Sequence, residues 1–144
     1  MLIEFFLGVF LLICSVTDIK RREIKLSVLV IFGIIAVCLY MIFHPVGIFE
    51  EAAGIVTGLV FVGLFFITDE KIGLGDGLLM TVTGIFLGGR QNASLIMTAM
   101  LLSACFSVLI LILKKADRKT GFPFVPFVFA AYIIRMFIMA GRIL

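Results

Sequence analysis

Long apolar runs, separated by short polar segments, occupy most of the 144 residues. The six runs lie at residues 2–17, 26–43, 52–67, 78–87, 93–113 and 123–140. A helix that crosses a bilayer needs about 20 apolar residues, so six crossings account for nearly the whole chain. The pattern therefore predicts an all-α polytopic membrane protein, a bundle of six transmembrane helices. The run at 78–87 is the shortest, and a re-entrant segment is the alternative there.

The composition argues against a soluble domain. Hydrophobic residues make up 63% of the chain and charged residues 15%, whereas soluble domains average roughly 45–50% and about 25%. A soluble fold of this size has too little interior for so much apolar surface. We therefore expect residues 1–144 to form a single integral-membrane domain in contact with the lipid bilayer, without a nucleic-acid partner. The first residues lack the basic segment of a signal peptide, so none is predicted.

The positive charges are distributed unevenly among the loops. Nine of the twelve Lys and Arg residues lie in the loops after the first, third and fifth runs. Because cytoplasmic loops carry the excess of basic residues, these three loops are predicted to be cytoplasmic and both termini to lie outside.

Two features predict how the helices pack. Small residues recur at helix spacing as GxxxG pairs at 54–58 and 84–88, which let helix backbones approach closely in lipid. Arg135 is the one charge deep within a predicted span, and such charges usually face the interior of the bundle. We expect a structural role for Arg135, paired with a helix-end carbonyl, or with Glu4 if the first and sixth helices meet.

The sequence offers little for metal or nucleophilic chemistry. Cys14, Cys38 and Cys105 all lie inside apolar runs, and their odd number and wide spacing argue against a disulfide framework or a metal site. The chain has one histidine and neither an HExxH nor a GxSxG motif. We therefore expect no metal and no cofactor.

Two aspartates far apart in the chain are predicted to lie on the same side of the membrane. Asp18 ends the first run, and Asp76 begins the fourth, so they can meet if those helices are neighbours. Taken singly, Asp18 can simply end an apolar run and Asp76 can simply stabilise a helix start. The glycines Gly73, Gly75 and Gly77 favour a functional interpretation, because they leave room for an extended peptide beside a carboxylate.

Two carboxylates suffice to hydrolyse a peptide bond. One is ionised and takes a proton from water, while the other is protonated and polarises the scissile carbonyl. Two like charges a few ångströms apart cannot both ionise cheaply, so such a pair shares a proton. Asp18 and Asp76 are therefore candidates for a proteolytic dyad that needs neither a metal nor a nucleophilic side chain.

The chain resembles the type IV prepilin peptidase family, which consists of membrane aspartyl proteases of the GxGD kind. The resemblance rests on Asp18 before a basic loop and on the segment KIGLGDGLL at 71–79. Support comes from GIFLG at 84–88 and from FPFVPF at 122–127, which is similar to the family's proline-containing terminal motif. The resemblance spans nearly the whole chain in order and spacing.

The resemblance implies a peptidase domain in the inner membrane of a prokaryotic cell, with its active site facing the cytoplasm. Its substrates would be prepilin-like proteins of type IV pili and secretion systems. They would be cleaved after a short basic leader and ahead of their hydrophobic segment, with Asp18 and Asp76 as the catalytic pair. The cysteine-rich segment that larger members use for N-methylation is missing here, so we expect no methyltransferase activity.

The chain departs from the family pattern in two places. Members often have an Ile-Pro motif after the first aspartate, whereas Ile-Lys-Leu stands at 24–26. Many have a lysine shortly after the second aspartate, whereas Gly-Leu-Leu stands at 77–79. Both differences concern contacts with the substrate more than the chemistry.

Four other residues have both a structural and a functional interpretation. Asp69 and Glu70 lie in the same loop as Asp76 and could attract a basic leader, or could form a solvated turn. Pro123 and Pro126 suit the start of a helix, where proline is tolerated. The family resemblance implies a substrate groove at these two prolines.

Two other functions are compatible with the pattern. A small ion-coupled transporter could use Asp18 and Asp76 as a proton or cation relay. Transporters more often place their acids near the middle of the bilayer, whereas these lie at its edge. A membrane assembly subunit without chemistry would give the GLGDG segment at 73–77 no purpose. The sequence leaves the oligomeric state open.

Overall fold

The fold was obtained as a computed structural model, which describes residues 2–21, 23–43, 47–67, 73–113 and 122–141. Its α-helices are α1 Leu2–Arg21, α2 Leu26–Phe43, α3 Ile48–Ile67, α4 Leu74–Leu87, α5 Gly89–Ile112 and α6 Val125–Gly141. The predicted all-α architecture is confirmed. Helix α3 begins before its apolar run, with Glu50 in its first turn, where the positive end of the helix dipole stabilises an ionised carboxylate.

Three helices, α1, α2 and α5, are long and apolar enough to cross a membrane, by length and composition. Helices α4 and α6 are apolar but shorter, with 14 and 17 residues. The described helices therefore indicate a membrane protein with three clear candidate spans. Crossing by all six helices remains a prediction.

Helix α4 lies at the centre of the bundle and contacts α1, α2, α3 and α5. Its side chains Leu79 and Phe86 belong to the main hydrophobic core. The ring of Phe10 on α1 lies 5.2 Å from the ring of Phe32 on α2 and 6.4 Å from the ring of Phe86. Aromatic contacts of this kind hold α1 and α2 against the central helix.

Helices α3 and α4 pack through a glycine seam, formed by Gly54 and Gly58 on α3 and by Gly77 and Gly84 on α4. A Cβ atom on Gly54 would lie 2.4 Å from the carbonyl oxygen of Gly84, and one on Gly58 would lie 2.3 Å from the Cα of Thr81. No side chain fits at such distances, so the two backbones touch directly. This confirms the close packing predicted from the GxxxG pairs.

A single residue, Gly88, separates α4 from α5. Its φ of 74° is a left-handed conformation that glycine adopts without the steric cost of a Cβ atom. Across this corner the fully buried Asn92 donates from Nδ2 to the carbonyl of Met80 at 3.0 Å and accepts from Thr83 Oγ1 at 2.8 Å. Because its amide is satisfied inside the bundle, Asn92 fixes α5 against α4.

Helices α1 and α6 also meet, as the pairing of Arg135 with Glu4 would require. The hydroxyl of Tyr132 on α6 donates to the carbonyl oxygen of Glu4 at 2.6 Å. The guanidinium of Arg135 donates to Gln91 Oε1 on α5 and interacts electrostatically with Glu4. Arg135 therefore links α6 to α5 and α1, which is the structural role expected, with Gln91 as a partner that the sequence did not indicate.

Candidate active site

Asp18 lies in the last turn of α1, with 8% of its surface exposed. Its Oδ2 accepts the backbone N–H of Val125 at 3.1 Å. Val125 is the first residue of α6, where a helix N–H has no partner within its own helix. The end of α1 and the start of α6 are therefore joined through this carboxylate.

Asp76 lies in the first turn of α4 and ahead of the apolar run at 78–87. Gly73 precedes the helix with extended backbone angles, and its carbonyl accepts the N–H of Asp76 at 3.0 Å. Burial, and to a smaller extent the negative charge of Asp18, raises the pKa of the Asp76 carboxyl to about 6. A protonated Asp76 is therefore accessible close to neutral pH.

Asp18 and Asp76 line the same cavity, which has a volume of about 360 Å³. Among the described residues, Glu23, Ile24, Gly73 and Gly75 also line it. Ligand sites in proteins commonly measure roughly 300–1,000 Å³, so a short stretch of peptide and water have room here. The contact between α1 and α4 that brings the acids to one end of the bundle is present. Their catalytic role remains a prediction.

The three glycines around Asp76 have different surroundings. Gly73 and Gly75 line the cavity, and a Cβ atom on Gly75 would lie 3.2 Å from Ile24 Cδ1. Gly77 instead packs against α3, where a Cβ atom would lie 2.9 Å from the backbone nitrogen of Val62. Room for a substrate remains a prediction for Gly73 and Gly75, whereas the missing side chain of Gly77 makes room for α3.

The other candidate substrate residues fall into two groups. Asp69 and Glu70 lie outside the described residues. Pro123 and Pro126 flank Val125 at the start of α6, where Pro126 is the second helical residue, a position that tolerates proline. Their contact with a substrate remains a prediction.

Sequence reasoning missed Glu23 and Ile24 as parts of this cavity. Both follow the first helix in a loop whose favoured interpretation is topological, although Ile24 stands where the family has its Ile-Pro motif. A usable signal was present, because an acid five residues after Asp18 lies at the same end of the bundle. The hydrogen bond from Val125 could not be foreseen, since a backbone N–H leaves no mark in the sequence.

A larger cavity of about 670 Å³ lies between α1 and α6. Its walls are almost entirely apolar and include Phe5, Leu12, Phe129 and Phe137. Such a surface suits lipid chains. Among the described residues Glu4 is the one acid on its wall, beside Tyr132, so this cavity does not present a pair of carboxyls. The smaller cavity with the two acids is therefore the candidate active site, although it is not the largest.

The fold and the cavity define an all-helical membrane protein in which two acids from distant segments line one polar cavity at the ends of their helices. Comparison with known families makes the assignment specific. The model of the type IV leader peptidase family matches residues 5–113, more than half of the chain. The chain therefore belongs to the type IV leader peptidase family, which confirms the resemblance and makes the protein a peptidase. No curated protein and no solved structure gives a significant match.

Proposed function

We propose that the protein is an aspartyl endopeptidase that removes the leader peptide from prepilin-like proteins. The observation that carries this function is the cavity shared by Asp18 and Asp76, because two carboxyls around a water are sufficient for peptide hydrolysis. Membership of the leader peptidase family supports a protein substrate. Neither a metal nor another cofactor enters the mechanism, and no methyltransferase activity accompanies it.

The reaction takes place at the cytoplasmic edge of the membrane in this proposal. The basic loops follow the first, third and fifth helices, so the positive-inside rule assigns the Asp18 and Asp76 end to the cytoplasm. A prepilin-like substrate carries its hydrophobic helix directly after the leader. Its scissile bond would therefore lie at the same membrane depth as the ends of α1 and α4, beside Gly73 and Gly75.

Hydrolysis requires one ionised and one protonated carboxyl. Water gives a proton to the ionised carboxylate while its oxygen bonds to the carbonyl carbon, and the protonated carboxyl gives its proton to the carbonyl oxygen. The resulting neutral diol then collapses. The proton taken from water passes to the amide nitrogen, the C–N bond breaks, and one hydroxyl proton of the diol returns to the second carboxylate. The dyad is restored, and the products are a leader with a new carboxyl end and a mature protein with a free amine.

The basic leader meets acidic side chains in this proposal. Glu23 lies on the cavity wall together with both aspartates, and Asp69 and Glu70 belong to the loop that precedes Gly73. Opposite charges at a cleft increase the local concentration of a charged substrate. Pro123 and Pro126 would contribute by holding the start of α6 beside Asp18.

The test uses purified protein and a prepilin-like substrate, both in detergent or in vesicles. The wild type should shorten the substrate at a single bond ahead of its hydrophobic segment, as shown by intact mass and by sequencing of the new amino terminus. Asp18→Asn and Asp76→Asn should each leave the substrate full length. A wild type that never cleaves, as expected for a transporter or an assembly subunit, would refute the function, and so would an unchanged rate in either variant.

A further inference from the structure

The two acids of the candidate site are held in different ways. Asp18 is more completely buried and accepts the N–H of Val125. The carboxylate of Asp76 accepts no hydrogen bond within the part of the chain that the structure describes. A hydrogen bond donated to a carboxylate stabilises its ionised form, whereas burial without one favours the protonated form.

The start of α6 is built to present the N–H of Val125 to Asp18. Pro126 has no N–H, and the N–H groups of Phe127 and Val128 both donate to the carbonyl of Phe124. The N–H of Val125 is therefore the donor of this first turn that points out of α6, towards Asp18. The positive end of the helix dipole lies behind this donor and acts on the carboxylate in the same direction.

The described elements next to Asp18 contribute charged groups of both signs, and Lys20 and Arg21 share the last turn of α1 with it. Asp76 from α4 and Glu23 from the segment between α1 and α2 share its cavity, and Cys14 lies one turn back on α1 and interacts with it. Helix α2 carries no charged side chain along residues 26–43, and Arg135 is the one charged residue of α6, about 15 Å further along the helix axis. Neighbouring acids favour protonation, so the N–H of Val125 opposes them.

We infer that the amino-terminal turn of α6, through the N–H of Val125, is a positioning element that keeps Asp18 ionised as the general base and leaves Asp76 as the general acid. This assignment rests on the proposed function and extends it by giving each carboxyl a separate task. Asp18 takes the proton from water, and Asp76 protonates the carbonyl oxygen. The start of α6 then has a role in the reaction that does not depend on contact with the substrate.

The decisive measurement is the titration of each carboxyl by NMR in protein labelled with ¹³C at the aspartate carboxyl carbon. The chain has four aspartates, and Asp18→Asn and Asp76→Asn identify the two relevant signals. Asp18 should titrate at lower pH than Asp76. Because interacting carboxyls titrate together, the Asp18 signal is also followed in the Asp76→Asn background.

Val125→Pro removes the donor at a helix position that tolerates proline. The Asp18 titration should move to higher pH by roughly one unit, the effect expected for losing a hydrogen bond to a charged group. Val125→Ala is the matched control, since it keeps the N–H and shortens the same buried side chain, and it should leave the titration in place. If Val125→Pro fails to fold, α-hydroxyvaline at position 125 replaces the N–H with an ester oxygen and keeps the side chain.

Cleavage kinetics supply the second readout. In Val125→Pro the acidic limb of the pH profile of kcat/KM should shift to higher pH by the same amount as the Asp18 titration, with little change in KM. In Val125→Ala this limb should stay at the wild-type pH. The inference is overturned if Asp76 titrates at lower pH than Asp18, or if removal of the N–H leaves the Asp18 titration unchanged. Because titration needs no substrate, a wild type that titrates as expected but cleaves nothing refutes the proposed function alone. If the wild type cleaves the substrate but the acidic limb of the kcat/KM profile stays in place in Val125→Pro, the inference alone is refuted.

Discussion

Beside each end of α4, an acidic side chain from another helix accepts an N–H at a helix start. The surroundings of these two acids differ. At one end Asp18 accepts the N–H of Val125 at the start of α6, and at the other Glu50 accepts the N–H of Arg90 at the start of α5, both at 3.1 Å. An acid bonded to a helix start is therefore a packing contact that this fold uses twice. The Asp18 end differs because a second acid, Asp76, lines the same cavity.

The opposite end contains a buried acid without these features. Glu51 is 7% exposed, and its Oε2 has no hydrogen-bond partner within the described residues. Burial raises the pKa of the Glu51 carboxyl to about 7. Two residues further along α3, the backbone packs so closely that a Cβ atom on Gly89 would lie 2.5 Å from Ala53 Cβ. A buried acid with a raised pKa is thus no sign of catalysis unless a cavity and a partner acid accompany it.

The largest effect should separate the two ends by activity. Asp76→Asn should lower the cleavage rate at least about a thousandfold, because a dyad acts as a unit. Glu51→Gln should leave the rate within about twofold, since Glu51 on α3 lies beside the end of α4 opposite to Asp76, and α4 is roughly 20 Å long. Initial rates with one purified substrate measure both variants. If both variants lost the same fraction of the cleavage rate, the assignment of the active site to the Asp76 end of α4 would be wrong.

The glycine seam should be sensitive to a single methyl group. Gly54→Ala places a Cβ atom 2.4 Å from the carbonyl oxygen of Gly84, so the free energy of unfolding should fall by about 2 kcal/mol or more. Gly63→Ala is the control on the same helix, because a Cβ atom there meets nothing within 4 Å, and it should be neutral or slightly stabilising. Denaturant titration in detergent compares them, and equal destabilisation would contradict the seam.

Glu51, the buried acid at the end of the bundle opposite to Asp76, should make the free energy of unfolding depend on pH. The folded-state pKa of Glu51 lies above its ordinary value, so its contribution to stability is most favourable at low pH and is lost as pH rises through about 7. Glu51→Gln should match the wild type near pH 5 and exceed it by about 1–2 kcal/mol at pH 8. Thermal or denaturant unfolding at the two pH values checks this. A difference that is the same at both pH values would exclude titration of Glu51 as the cause.

The smallest effect should concern substrate capture. Glu23→Gln should raise KM for a substrate with a basic leader by roughly two- to fivefold, because an exposed charge contributes about 1 kcal/mol or less. The effect should shrink at high salt and disappear when the leader's basic residues are replaced by glutamine. Leaving kcat unchanged would agree with a role in binding. A fall in kcat alone would instead make Glu23 part of the chemistry.

Much of the fold could be predicted because its signals are local. Continuous hydrophobicity predicted the helices, and the glycine pairs at 54–58 and 84–88 predicted close packing, since both depend on residues near one another in the chain. Which helices touch was not predictable in the same way. The pairing of Asn92 with Thr83 and Met80 depends on a corner at Gly88 that no hydropathy pattern reveals.

The candidate site, too, could be predicted only in part, for the same reason. The residue types and their positions at helix ends are enough to select Asp18 and Asp76 as the acids to consider, because charge and helix direction follow from the order of residues. Their arrival at one cavity, the addition of Glu23 to its wall and the hydrogen bond from Val125 depend on how distant helices pack. That packing is set by side-chain volume and backbone approach between distant segments. Asp18 and Val125, for example, are 107 residues apart, and only the folded chain brings them into contact.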